Sequence, residues 1–174
     1  MSVAQSFLHE FEQESKTTRR FLEALPDDKL GFKPHEKSLT SGQLALHIAA
    51  AQASIIEMAT KNEVPAPDFG KPFPQPANKK EILAALDASI AVVRKILPTF
   101  SDGAMQETWK AVNEGETVFE LPRAALIRSI LLNHIYHHRG QLGVYLRLVG
   151  AKVPSSYGPS GDEAPQMMNA TAKA

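Results

Sequence analysis

Imidazoles carry the chemistry this chain is best equipped to do. His47 stands alone on a candidate second helix, while His134 and His138 stand four residues apart in the run Asn133-His134-Ile135-Tyr136-His137-His138-Arg139-Gly140-Gln141. Residues four apart on a helix project about 40° from one another at about 100° per residue, so both rings leave one face. Two imidazoles so placed can share one metal ion, and a third from a neighbouring helix would complete a facial set. Three histidines leave at least one coordination position open, as a catalytic site requires and a closed structural site does not. His137 lies three residues from His134, another ligand spacing, but it sits toward the edge of the apolar sector and His138 nearer its centre. We take His47, His134 and His138 as the metal set and place His137 beside it or at a helix interface.

The rings can meet only if helices bring them together, and four segments have helical periodicity. The first runs from about Ala4 to Leu25, with Phe7, Leu8, Phe11, Phe21, Leu22 and Leu25 in its apolar stripe, and Pro26 breaks it. Leu30 to Pro34 reads as loop. Thr40-Ser41-Gly42-Gln43 has the form of a capping box and opens a second helix reaching about Thr60. Residues 62–77 are dense in proline (Pro65, Pro67, Pro72, Pro74, Pro76) and read as a surface crossing with no regular element. Asn78, with Glu81 three positions on, restarts a helix to about Leu97.

Thr108–Val112 and Thr117–Phe119 flank Asn113-Glu114-Gly115-Glu116, a pattern that fits a short hairpin. Pro122 then suits the first position of a long fourth helix ending near Val149, with Gly150 at its C-cap. The tail, about 155–174, has no periodicity. These features predict one domain over residues 1–174, all-α, built as a four-helix bundle with long connections and a short hairpin before the last helix.

On a helical wheel, Ile127, Ile130, Leu131, Tyr145 and Val149 fall within about 60° of His134, and His138 and Gln141 share that sector. The polar groups therefore face the interior, where an unpartnered imidazole costs on the order of a few kcal/mol. A lone inward histidine is more often a hydrogen-bonded core residue, so His47 takes its meaning from the pair. Its helix face also carries Ala50, Ala51 and Ser54, small residues that leave room for an ion and a small ligand. Gly140 and Gly143 are expected to permit close approach on the fourth helix. His9 reads as a helix-surface residue and His35 as a loop residue.

Composition narrows the classes. Nineteen basic residues balance nineteen acidic ones without long blocks of either sign, so neither a nucleic-acid footprint nor a polybasic membrane contact is expected. Cysteine is absent, which excludes disulfides, thiolate metal sites and a cysteine nucleophile. The N-terminus lacks the basic and apolar pattern of a signal peptide, and apolar runs are too short to span a bilayer, so a cytoplasmic location is expected.

These residues resemble the DinB-like (damage-inducible, YfiT-like) metalloenzyme superfamily. The resemblance is carried by Thr40 to His47, by His134-Ile135-Tyr136-His137-His138-Arg139-Gly140-Gln141, by Phe32-Lys33-Pro34 and by the tail from Pro154 to Ser160. It implies an up-down-down-up four-helix bundle holding a divalent ion, commonly zinc or nickel, at one end. The ligands it implies are His47, His134 and His138. Relatives of this kind use low-molecular-weight thiols, as S-transferases or as a thiol-dependent maleylpyruvate isomerase, and many are homodimers. A metal-dependent enzyme acting on a small-molecule substrate is therefore the leading expectation, with the ion activating a thiol or a water. Gln141, Tyr145, Arg139, Tyr157 and His137 are candidates for the surrounding pocket, although Arg139 suits a neighbouring carboxylate as well as a substrate anion. No glutamate adjoins the histidines as in His-Glu-x-x-His, which favours thiol transfer over hydrolysis. The rival class is a non-catalytic bundle that binds a metal or a small ligand.

Overall fold

The computed structural model describes residues 1–68 and 70–164. The chain starts with helix α1, Val3–Ala24, opened by a capping box in which Ser2 Oγ accepts from Gln5 N and Gln5 Oε1 accepts from Ser2 N. Helix α2, Ser41–Met58, opens on the expected box, with Thr40 and Gln43 exchanging the same pair of bonds at 3.0 Å each. Helix α3, Lys79–Ile96, is capped by Asn78 Oδ1, which accepts from Glu81 N at 3.0 Å. A short helix, α4 (Asp102–Gln106), leads into strands β2 (Thr108–Asn113) and β3 (Glu116–Pro122).

The last rod begins as α5, Arg123–Leu126, continues through a π-helical stretch, Ile127–Asn133, and finishes as α6, His134–Leu148. Pro122 closes β3 and precedes the first helical residue, one position earlier than its expected place. At the far end Gly150 adopts φ +76°, and Ala151 N donates to Leu146 O at 2.9 Å. These contacts form the left-handed cap that glycine favours.

The all-α expectation needs correction. Beside the helices lies a three-stranded sheet of order β1-β2-β3, in which β1 is Glu63–Pro65 from the proline-dense connection. β1 pairs with β2 in parallel, Val64 opposite Ala111, and β2 pairs with β3 in antiparallel fashion as the hairpin pattern foretold. Glu114 and Gly115 both have positive φ (51° and 85°), the conformation a two-residue hairpin turn demands. Pro65 is tolerated because β1 is an edge strand. Among the described residues, no helix is long and apolar enough to cross a membrane. The irregular tail was expected from about residue 155; residues 155–164 show neither helix nor strand, and residues 165–174 lie outside the described ones.

Helix α1 packs on α3 and α6, and α2 packs on the same two. Two apolar clusters hold them. One gathers Phe11, Ile56, Val93, Trp109, Leu126 and Leu131; the other gathers Leu22, Leu44, Ile82, Leu86, Leu142 and Leu146. Each fully buried side chain of this size stabilises by about 2 kcal/mol, so these clusters dominate the cohesion of the rods. Gly143 lies close to Phe21, whose Cε1 would be 3.2 Å from an added Cβ. Nothing approaches Gly140, contrary to the expectation for that position. Along α2, His47 falls between Leu44 of one cluster and Ile56 of the other, and His134 and His138 fall between Leu131 and Leu142. The histidines therefore occupy the seam between two cores.

Candidate metal centre

Helix α2 and the α6 rod bring the three imidazoles face to face. His47 Nε2 lies 3.1 Å from His134 Nε2, and His138 Nε2 lies 3.0 Å from the same atom. The rings stand nearly perpendicular, with centroids 4.4 to 4.9 Å apart. Among the described residues, these three form a group able to offer ligand nitrogens to one ion. With bonds of about 2.0–2.1 Å, cis nitrogens on a shared ion sit roughly 2.9–3.4 Å apart, which the two short separations match.

The three half-buried rings bring more lone pairs together than they have protons to share. His138 Nδ1 faces Gln141 Oε1 at 3.0 Å, so that nitrogen carries the proton and Nε2 presents a lone pair toward its neighbours. A single proton on His134 Nε2 can serve His47 or His138, not both. A cation among the three nitrogens could take up the lone pairs that a proton leaves over. Burial reinforces this by disfavouring protonation. Desolvation, with added repulsion from His138, lowers both His47 and His134 to about 4. Desolvation lowers His138 too, against the opposing effect of its bond to Gln141. Neutral imidazoles are the form that binds metal.

Beside His47 and His134 opens a cavity of about 780 Å³. Ala50, Ala51 and Ser54 line it, as the small residues of α2 led us to expect. Its opposite wall was not foreseen: Trp109, Ala111, Val118 and Phe119 come from the sheet, and Ala66, Pro67, Phe73 and Pro74 come from the proline-dense connection. That connection is pinned to the start of α2. Gln43 Nε2 donates to Phe73 O at 2.9 Å, and Thr40 Oγ1 donates to Gln75 Oε1 at 2.6 Å. The Phe73 ring meets His47 edge to face, with centroids 5.0 Å apart. The prolines were the available signal, because a rigid crossing can form a wall, but no local pattern marks its destination.

None of the five pocket candidates lines this cavity. Gln141 acts behind the site, orienting His138. His137 is exposed, with its ring centroid 4.8 Å from that of His138. Tyr145 is buried in the second cluster and donates its hydroxyl to Leu39 O at 3.3 Å. Arg139 is buried away from the cavity in an ion pair with Glu14, Nη1 to Oε2 at 2.6 Å, as the carboxylate alternative anticipated. Tyr157 is exposed and donates to Glu14 Oε2 at 3.0 Å. His9 and His35 are exposed, as expected.

Comparison with known proteins agrees with this architecture. The DinB family model matches residues 1–168, and the chain belongs to the DinB family. The uncharacterized protein YrdA of Bacillus subtilis is 31% identical over 158 residues, spanning 90% of this chain and 89% of its own length. The crystal structure of a DinB-like protein from Bacillus cereus is similar with a TM-score of 0.69 at 25% identity, covering 88% of this chain and 97% of that one. A DinB-like protein of Bacillus subtilis, YjoA, gives 0.67 at 18% identity over 87% and 96% of the two chains, a likeness of fold.

Proposed function

We propose that this chain is a metal-dependent enzyme in which His47, His134 and His138 hold one divalent ion at the head of the cavity. The observation that carries the reading is the convergence of three Nε2 atoms from two rods, 3.0 and 3.1 Å apart, with no internal set of protons to satisfy them. The packing of α1 and α2 each against α3 and α6 supports the up-down-down-up four-helix bundle as the frame of the site. Zinc or nickel suits an all-imidazole ligand set. A bound ion of this kind would act as a Lewis acid, lowering the pKa of a small thiol or of water enough to give a nucleophile near neutral pH.

The residues divide the remaining work. Gln141 fixes the tautomer and tilt of His138 through Nδ1. Phe73 covers one side of His47 and excludes water there. No aspartate or glutamate lines the cavity, so a carboxylate base for hydrolysis is lacking among the described residues, which supports activation of a low-molecular-weight thiol. The absence of cysteine is consistent with a thiol that enters from outside.

Incubating the protein with zinc or nickel, a small thiol and a panel of electrophiles tests the proposal. Metal-dependent thiol consumption, lost in His134→Ala, is expected. Stoichiometric metal with no turnover would favour instead a bundle that binds metal or a small ligand without catalysis.

A further inference from the structure

Granted the metal-centre reading, the cavity next to it tells what kind of molecule can reach it. Among the described residues its lining contains no lysine, arginine, aspartate or glutamate. Its polar groups are few and largely committed. Trp109 Nε1 donates to Met58 O at 3.1 Å, and the Gln43 amide serves Phe73 O and Thr40 N. Ser54 and the imidazoles are left, all from the helical side.

The mouth is apolar as well. Phe73, Val118 and Phe119, exposed by 38%, 62% and 46%, all border this one cavity. Exposed apolar side chains gathered around an apolar recess mark a place where a ligand enters. An ionised group drawn inside would lose its hydration and find no counter-charge. At about 780 Å³ the space is within the range that encloses most of a drug-sized molecule.

The geometry points to a substrate with an uncharged, lipophilic body that lies between α2 and the sheet, its reacting end at His47 and His134. Charged parts of a co-substrate stay outside this recess. The reacting end rests on the metal-centre reading; the body rests on the cavity alone.

Trp109 is the only tryptophan and lines the cavity, so its emission reports occupancy. The test titrates the full chain, with and without bound zinc, against N-phenylnaphthylamine and against its sulfonated analogue anilinonaphthalenesulfonate. The two probes share one ring body and differ by a charge. The neutral probe is expected to quench Trp109 and to bind about tenfold or more tighter than the sulfonate. Ala50 and Ser54 are both exposed, so substitution there spares the core. Ala50→Phe, which fills the recess, and Ser54→Asp, which charges it, should each weaken the neutral probe about tenfold while far-UV circular dichroism stays unchanged. Equal affinity for the two probes, no quenching by the neutral one, or indifference to both substitutions overturns the proposal. A chain that takes the neutral probe but no metal supports the cavity inference and defeats the enzyme reading. A metal-loaded chain that rejects the probe does the reverse.

Discussion

His138 and Arg139 are adjacent in the chain, and the structure treats their polar groups in opposite ways. Arg139 is turned inward among partners of this chain's own: Glu14 Oε2 at 2.6 Å, Thr18 Oγ1 and Glu14 O at 3.3 Å. Its guanidinium also lies over the rings of Tyr136 and Tyr157, at 5.4 and 5.2 Å. His138 has one partner of a different kind, Gln141, and otherwise faces imidazoles. The contrast separates two meanings of a polar group withdrawn from water. Where a carboxylate and aromatic faces gather round it, the group ties elements together, even with Arg139 Nη2 left without a hydrogen bond among the described residues; where its neighbours repeat its own chemistry, its lone pair stays open to another ligand.

The comparison can be broken most forcefully on the Arg139 side. Arg139→Ala leaves Glu14, with a side chain only 15% exposed, without its cation, and should destabilise the fold by about 3–5 kcal/mol in urea unfolding. The fraction that stays folded should keep its full metal stoichiometry. On the other side, His47→Ala should cut metal affinity by about a hundredfold or more in chelator competition. Its metal-free unfolding should move by about 1 kcal/mol or less. If His47→Ala unfolded the protein as Arg139→Ala does, the two regions would be alike and the contrast lost.

Smaller changes sharpen it. Gln141→Ala removes the acceptor that holds His138 and should weaken metal binding about tenfold without altering secondary structure. The gentlest probe is pH. Burial holds His47 and His134 at about 4 in the folded chain, against 6.5 for an ordinary imidazole, so the unfolded chain takes up protons first as pH falls. Stability of the metal-free protein should be complete above about pH 6.5, decline as pH drops toward 4, and flatten below, with partial exposure of the rings moderating the slope. Thermal melts of the chelated protein across that window should show the decline, and the double substitution of His47 and His134 by alanine should flatten it.

Features with local causes are legible in the sequence itself. The Thr40 box and the Asn78 cap are decided within four residues, and the hairpin announces itself in Asn113 to Glu116. The histidine trio was legible because its spacing is helical and its surroundings apolar. What escaped depends on partners far along the chain. β1 has three residues and finds its register only against Lys110 to Val112. Phe73 reaches His47 through a crossing whose prolines describe stiffness and not direction. Arg139 joins both the carboxylate and the main-chain carbonyl of Glu14, 125 residues away. Tyr145 is buried, as its inward sector on the wheel implied, but its hydroxyl goes to Leu39 and its ring packs at right angles to Phe32, away from the cavity.

A wheel of uniform pitch also leaves out one feature of this rod. The seven residues Ile127–Asn133 follow a wider turn than an α-helix and end where His134 begins. Uniform pitch would tie the bearing of His134 to that of Leu126, a residue of the cavity wall. The dilated backbone releases that tie, so wall and imidazoles can be aimed separately. Excising one residue from this stretch should swing the imidazole-bearing half by about 100° relative to the half before it. A surplus of main chain, bearing no chemistry of its own, thus acts as a phase adjuster for the three imidazole rings.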